Sequence, residues 1–521
     1  MRRKLIRLFM LVALVSFAFL GRASALSIDS RAVIIIIDRV TWAELAATQP
    51  SNLSQLAKEG APGLLINRTA GPRTTSVRSY ATISAGTRAD ADADAGRGLN
   101  PRRFKELVDL NKKTGYRAQV GLLSTALRKG GVDVAVIGNA DYRDKDGRYI
   151  LGREVELLGA DKDGRLPPGR KSLIYKAPGN GSISTDYQQM KASFSRLSTP
   201  ASLVIVETGD TRRADMASTK SGEKIAPKME AIARADKFIG WVAKDLDFKR
   251  DMLVVLSPSM PRESDGLTPI IMAGPDLRPG LLTSPSTRRP GLLVSLDVAP
   301  TVANVFGVDL GSQNSGRLIK TVAGTKSFQY MAQQAHDYLL SEELSVPITI
   351  GYSVAEAFLL VAGFLGLIFI KEKLRSVYEW LRLIIIFVLA LPLGVFITPL
   401  LPIAYANGAT YISLVLLISA VIAFSAWRMS DKTRSPIIFL TGSTTLFILV
   451  NLLIGAPGDG KSAFGYTAIN ASRFYGMGNH YLSFLLPAVL VFALLWAERS
   501  ERDFATLARP LAIILGAIVF V

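Results

Sequence analysis

Two kinds of hydrophobic pattern divide the chain. Residues 27–345 carry short β-branched runs separated by stretches of helical period, whereas long unbroken apolar runs take over from Ile348 onward. The short runs predict strands at 32–37, 132–137, 202–206, 252–256 and 269–272, because runs of this length rich in valine and isoleucine fit a sheet buried on both faces. Helices are predicted between them at 42–60, 119–130, 224–247 and 297–306, the last with Asp297 as its N-cap. This alternation predicts an α/β domain with a mostly parallel sheet sandwiched by helices. In such sheets ligands collect beyond the carboxyl ends of the strands. The residues that follow each strand are therefore the first candidates for chemistry.

The long runs lie at 348–370, 383–405, 411–427, 437–456 and 481–497. Each approaches the ~20 residues with which a helix crosses hydrocarbon, which predicts an all-α transmembrane bundle of at least five helices after the α/β domain. A sixth run, 510–521, is too short to span and is expected to continue beyond Val521. Lys371, Lys373, Arg375 and Arg382 sit in the first connection, Arg428, Lys432 and Arg434 in the third, and Arg499, Arg502 and Arg509 after the fifth run. The second connection, 406–410, has no charge, and the fourth, 457–480, has Lys461 and Arg473 as its basic residues. Basic loops stay cytoplasmic, which places the α/β domain outside. At the other end Arg2, Arg3, Lys4 and Arg7 precede an apolar run at 8–20 and then Ala23-Ser24-Ala25, the layout of a secretory signal. The expected organisation is a signal peptide or signal anchor at 1–26, an extracytoplasmic domain at 27–325, a connector at 326–347 and a transmembrane region at 348–521, in a cell membrane.

Composition agrees with this division. Hydrophobic residues make up 49% of the chain before glycine is counted, above the average of soluble domains. The net charge of +18 is scattered, and part of it lies in the signal and the cytoplasmic loops. Its expected partners are the bilayer and an anionic lipid or cell-wall polymer, with no nucleic acid. The absence of cysteine excludes disulfides and thiolate metal sites. Two histidines occur, His336 and His480, both outside the stretch that carries the candidate chemistry.

Asp38 stands directly behind the first apolar run, in IIIIDRVTW, where an acid binds a metal ion or caps a helix. Thr74, Thr75 and Ser76 precede a helix-like stretch in PRTTSVRSYATISAG. Hydroxyls at a helix start have free backbone N–H groups beside them, which suits anion binding and attack on phosphorus as well as plain capping. The segment 455–462 fits the phosphate-loop pattern letter for letter, but it follows a membrane run in place of a strand and is set aside. Further on, RFYGMGNHY brings Arg473, Asn479 and His480 to the outer membrane surface, either as a headgroup site or as an interfacial turn. Two DKDG tetrads, at 144–147 and 161–164, lack the later bidentate acid of a calcium loop and are expected as turns flanking a strand-like 149–158. DADADA at 90–95 is expected as a solvated loop. Glu356, inside the first membrane run, either faces protein or water or reaches the outer interface, and Pro392, Pro399 and Pro402 are expected to kink the second run.

Several marks in one order resemble the alkaline phosphatase superfamily over roughly residues 30–320: IIIID, the Thr/Ser segment ending in ISAGTRA, VGLLSTALRKGGVDVAVIGNAD, TPIIMAGPDL and SLDVAPTVANVFGV. The resemblance implies a metal-dependent phosphoryl transferase or phosphoric-ester hydrolase. It assigns Asp38 and Asp210 as metal ligands and Ser76 as nucleophile, from its spacing to Gly86, with Thr75 in that role if the turn differs by one residue. The chain departs from the pattern where the superfamily has histidines. Ala214 stands four positions after Asp210, the implied Asp-His pair falls on Pro258 and Ser259, and no histidine flanks TPIIMAG. Zinc prefers nitrogen and sulfur donors to an all-oxygen set, so a two-zinc site is not expected. Two readings stay open. In one the domain is degenerate, keeping the fold and an anion or headgroup pocket in an envelope binding or scaffold role. In the other Asp38, Asp210, Asp215 and Glu207 hold one hard cation such as Mg²⁺, Mn²⁺ or Ca²⁺, with Asp215 and Glu207 otherwise pairing with Arg212 and Arg213 on the surface. The degenerate reading is the expectation, since loss of the histidine ligands removes the means of activating a nucleophile at neutral pH. A transporter with an accessory external domain is a third class.

Overall fold

The computed structural model describes residues 29–144, 146–169, 175–176, 183–200, 202–217, 225–262, 264–369, 375–429, 435–466, 468–469 and 479–500. The signal segment, Arg473 and the run at 510–521 lie outside the described residues, as do Lys371, Lys373, Lys432 and Arg434.

Seven strands form the central sheet: β1 Arg31–Ile36, β2 Ala61–Ile66, β3 Asp133–Gly138, β4 Ser202–Glu207, β5 Met252–Leu256, β6 Thr268–Ala273 and β7 Leu292–Val294. Their order is β7-β2-β6-β5-β1-β4-β3, and the pairs are parallel except the two made by β6. Successive residues of β1 feed opposite cores: Ala32, Ile34 and Ile36 pack on one face, Val33 and Ile35 on the other, as a period of two requires. Helices cover both faces, which is the predicted α/β class.

The five predicted strands are present, and β2 and β7 are additions. No strand is expected at 61–66, a segment that carries Pro62 and Gly63. Pro62 is tolerated because β7 pairs with β2 only from Leu64 onward, so its missing N–H faces no partner strand on that side. Gly63 is needed for close approach, as a Cβ there would lie 3.1 Å from the Leu282 Cβ. The predicted helix at 42–60 is two, α1 Trp42–Thr48 and α2 Ser51–Glu59. Gln49 adopts a left-handed φ of 47°, and Pro50 behind it cannot donate a helical hydrogen bond. The strand-like 149–158 is also corrected. Tyr149–Ile150 alone is strand, paired with Tyr142–Arg143 across the first DKDG turn, and Glu156–Gly159 is a short helix. Of DADADA, Asp92 and Asp94 are exposed while Asp90 is held by Arg78 at 2.5 Å.

Three helices carry the candidate chemistry or its supports: α3 Ser76–Ala85, α4 Asp210–Ala217 and α5 Val298–Val305. Asp297 precedes α5 but its side chain makes no cap; it accepts from Ser284 Oγ, Ser286 Oγ and the Arg317 N–H at 2.6, 2.6 and 2.8 Å.

The chain then enters α6 Phe328–Phe369, followed by α7 Arg375–Ile397, α8 Gly408–Arg428, α9 Ser435–Leu453 and α10 Asn479–Ser500. These five helices are long and apolar enough to cross a membrane, and the chain is a membrane protein. Most of 326–347 is the leading part of α6, and Phe328, Met331 and Tyr338 join the core of the α/β domain. Pro392 lies inside α7, whereas Pro399 and Pro402 fall in the 3₁₀ turns Thr398–Leu400 and Pro402–Ala406 that end it, a correction to the expected kinked helix at 383–405. The phosphate-loop lookalike at 455–462 follows α9 and contains a single 3₁₀ turn, Asp459–Lys461. It serves as a strap. Lys461 Nζ donates to Asp337 and Gln334 at 2.7 Å each, and Arg289 Nη1 donates to the Ala456 carbonyl at 2.7 Å, binding the loop to α6 and to the α/β domain.

Candidate functional site

The carboxyl ends of β1, β4 and β5 and the start of α3 converge on Asp38. The apolar run of β1 buries this residue completely. Asp38 Oδ1 accepts from the Arg39 and Ser259 N–H groups at 2.9 and 3.1 Å and from Ser259 Oγ at 2.6 Å. Ser76 Oγ lies 3.4 Å from Asp38 Oδ2 and 2.8 Å from Ser259 Oγ. Thr75 is the exposed N-cap of α3 and its side chain makes no cap bond. Of the two hydroxyls considered, Ser76 is the one in the Asp38 network. Arg39 has a left-handed φ of 63°, an unusual backbone for an arginine.

A second layer lies beneath. Glu207, behind β4, accepts from the Tyr80 hydroxyl at 2.5 Å. Burial, and then the charge of Asp38, push its carboxyl up to about 8. Arg212 of α4 points into this acidic layer with its side chain only 7% exposed. Its Nη2 donates to Glu154 Oε1 at 2.7 Å and its Nη1 lies 3.9 Å from Asp38 Oδ2, while Nε and Nη1 have no hydrogen-bond partner. Burial opposes the guanidinium charge, but Glu154 and Asp38 more than offset it and hold Arg212 above the ordinary value.

Of the four expected ligands of one cation, Asp38 and Glu207 share this layer, and Asp210 and Asp215 do not join it. Asp210 accepts from the Thr185 N–H, Arg213 Nη1 and Arg234 Nε at 2.9, 3.0 and 3.0 Å, in a network separate from that of Asp38. Asp215 accepts from Arg39 Nη1 at 2.9 Å and from the Arg262 N–H at 3.1 Å. Burial would raise its pKa, but Arg39 and Lys228 hold it below the usual carboxylate range. The expected surface pairing with Arg212 and Arg213 is therefore corrected: both arginines are buried, and Asp215 pairs with Arg39. The resemblance implies divalent metal ions, and these residues do not fit them. The positions implied for histidines carry Ala214, Pro258 and Ser259, and Ser259 spends its hydroxyl on Asp38. Among the described residues no three His, Asp or Glu side chains form a set able to hold a metal ion.

Above Ser76 opens a cleft of about 850 Å³. Arg39, Arg68, Arg73 and Arg262 line it against Asp265, Glu342 and Glu343, with Thr74, Thr75, Ser76 and Ser259 on its floor and wall. Glu342 and Glu343 belong to α6. Val346, one turn further on, is 63% exposed and begins the apolar surface of that helix; at ~1.5 Å per residue the cleft wall ends within about 5 Å of it.

At the membrane half, Asn479 bonds Tyr466 through its N–H (3.2 Å), and His480 stacks on Phe464 with ring centres 6.0 Å apart. His480 and Glu356 line a cavity of about 360 Å³ among α6, α7, α9 and α10. His336 Nε2 meets the Tyr405 carbonyl at 3.1 Å. The sequence reading missed Arg212, Glu154 and Tyr80 as parts of one site. Its available signal was the spacing of Arg212 and Asp215, which face the same side of α4.

No protein-family model and no curated protein matches the chain. In fold, the α/β domain is similar to members of the alkaline phosphatase superfamily. One such protein from Vibrio parahaemolyticus is 15% identical, with a TM-score of 0.37, over 56% of this chain and 69% of that one. Phosphonate monoester hydrolase from Silicibacter pomeroyi gives 14% and 0.33 over 56% and 75%. The lipoteichoic acid synthase LtaP from Listeria monocytogenes gives 12% and 0.34 over 55% and 74%. Likenesses this distant say nothing of chemistry.

Proposed function

We propose that the chain is an extracytoplasmic, membrane-anchored protein that binds an anionic lipid headgroup at the outer face of a cell membrane without cleaving it. The observation that carries this reading is the cleft at Ser76. Four arginines against three carboxylates, with the N-terminus of α3, favour an anion there, and the wall formed by α6, which continues into a helix long and apolar enough to cross a membrane, supports a headgroup as that anion. Absence of cleavage is supported by the donor chemistry. A carboxylate alone is a weak base toward a serine hydroxyl, and Asp38 already accepts four hydrogen bonds, counting that of Ser76.

The test uses the full chain in detergent with short-chain phosphatidylglycerol, phosphatidylcholine and inorganic phosphate as probes. Phosphatidylglycerol is expected to bind in preference to the other two. Exchange of Arg68 and Arg73 to Ala together should weaken it roughly thirtyfold, at about 1 kcal/mol for each basic residue at a lipid surface. Equal binding of phosphatidylglycerol and phosphatidylcholine would end the proposal. Mn²⁺-dependent hydrolysis of p-nitrophenyl phosphate that is lost in Ser76→Ala would establish the phosphoryl-transfer reading instead.

A further inference from the structure

We propose that Arg212 is the resident cation of the acidic layer under Ser76, its guanidinium standing beside Asp38, one of the two residues that the superfamily resemblance implies as metal ligands. The inference rests on the same site as the proposed function but not on its ligand. Asp38, Glu154 and Glu207 come from three different segments, behind β1, before the helix Glu156–Gly159 and at the end of β4. Each is buried, and burying several carboxylates together is unfavourable unless positive charge enters with them. Arg212 is that charge. It holds Glu154 at 2.7 Å and reaches to 3.9 Å from Asp38.

Two further observations fit. The Nε and Nη1 donors of Arg212 are buried without hydrogen-bond partners, so this side chain is held by charge more than by a completed hydrogen-bond set. Glu207, whose value of about 8 favours the protonated form at neutral pH, bonds Tyr80 instead of pairing with Arg212, so the layer carries one negative charge fewer. A guanidinium cannot give up its charge by deprotonation. A divalent ion entering here would meet a fixed positive charge at contact range and would have to displace it.

The experiment is Mn²⁺ titration of the full chain in detergent, read by calorimetry and by the electron paramagnetic resonance signal of free Mn²⁺, with thermal unfolding in parallel. The wild type is expected to show no Asp38-dependent binding at millimolar Mn²⁺. Arg212→Ala, or the milder Arg212→Gln, leaves the carboxylates without their cation and is expected to bind Mn²⁺ at least tenfold more tightly than wild type, with a rise in unfolding temperature. Adding Asp38→Asn should abolish that gain, and Arg212→Lys, which keeps a cation, should not show it. Saturable wild-type binding removed by Asp38→Asn would overturn the inference, as would a folded Arg212→Ala or Arg212→Gln protein with no gain. If neither variant folds in chelator, recovery on refolding with Mn²⁺ supports the inference and failure with and without Mn²⁺ overturns it. Phosphatidylglycerol binding by the wild type is measured separately, so failure of the headgroup reading leaves this result standing, and the reverse.

Discussion

Glu207 shows how much a single buried carboxyl can govern. Its folded-state value of about 8 lies above the ordinary 4.5 because burial and Asp38 disfavour the anion. The native protein therefore keeps a proton that the unfolded chain releases, and stability from this group is full below about pH 4.5 and declines as pH rises toward about 8. The whole decline is on the order of a few kcal/mol. Asp215 and Asp141, whose values are lowered, act oppositely and at lower pH, as their stabilisation is complete above the ordinary 3.8. Glu207→Gln keeps an oxygen acceptor for the Tyr80 hydroxyl and removes the titration. Unfolding temperatures from pH 5 to 8 should then lose most of their downward slope, and an unchanged slope would show that Glu207 does not hold the proton. At this scale the sequence was legible only in part. Asp38 could be found because it follows an unbroken apolar run. Arg212 could not, because its partners Glu154 and Asp38 lie 58 and 174 positions away, and only the closing of the sheet brings them together.

Among the elements, legibility followed the strength of the local apolar signal. The central strands β1, β4 and β5 are runs of valine, isoleucine and leucine buried on both faces, and no other reading of them is stable. β2 begins Ala-Pro-Gly and β7 has three residues, so their strand character comes from the neighbours they pair with. Asp297 is the same lesson in reverse, since its position before a helix suggested a cap while its side chain reaches elsewhere. It gathers three donors from the β6–β7 connection and from Arg317, and so ties the end of the sheet to α5. Loss of a cap costs ~1 kcal/mol, but three stranded buried or half-buried donors cost more. Asp297→Ala is expected to destabilise the protein by about 2–4 kcal/mol, read as a fall of several degrees in unfolding temperature. A loss no greater than that of a cap would mean that water replaces the carboxylate easily.

For the whole molecule, the α/β domain and the helical bundle share one continuous helix and a polar strap. Lys461 to Asp337 and Arg289 to Ala456 place the loop between α9 and α10 on the same side as the domain. The 3₁₀ turns after α7 lie there too, with Tyr405 Oη donating to the Lys461 carbonyl at 3.0 Å. Arg375 begins α7 and Arg428 ends α8, at the opposite ends of these helices from those turns, and the positive-inside rule would assign that side to the cytoplasm. Because the chain has no cysteine, single cysteines can report the orientation without background. Asp92 is exposed on the α/β domain and Arg428 is exposed at the far end of α8. With a membrane-impermeant maleimide, Asp92→Cys is expected to be labelled in intact cells and Arg428→Cys only after permeabilisation. The opposite pattern would put the arginine-lined cleft in the cytoplasm. A headgroup bound there would come from the inner leaflet, and the external role of the domain would fall while its fold and its Arg212 site stood unchanged.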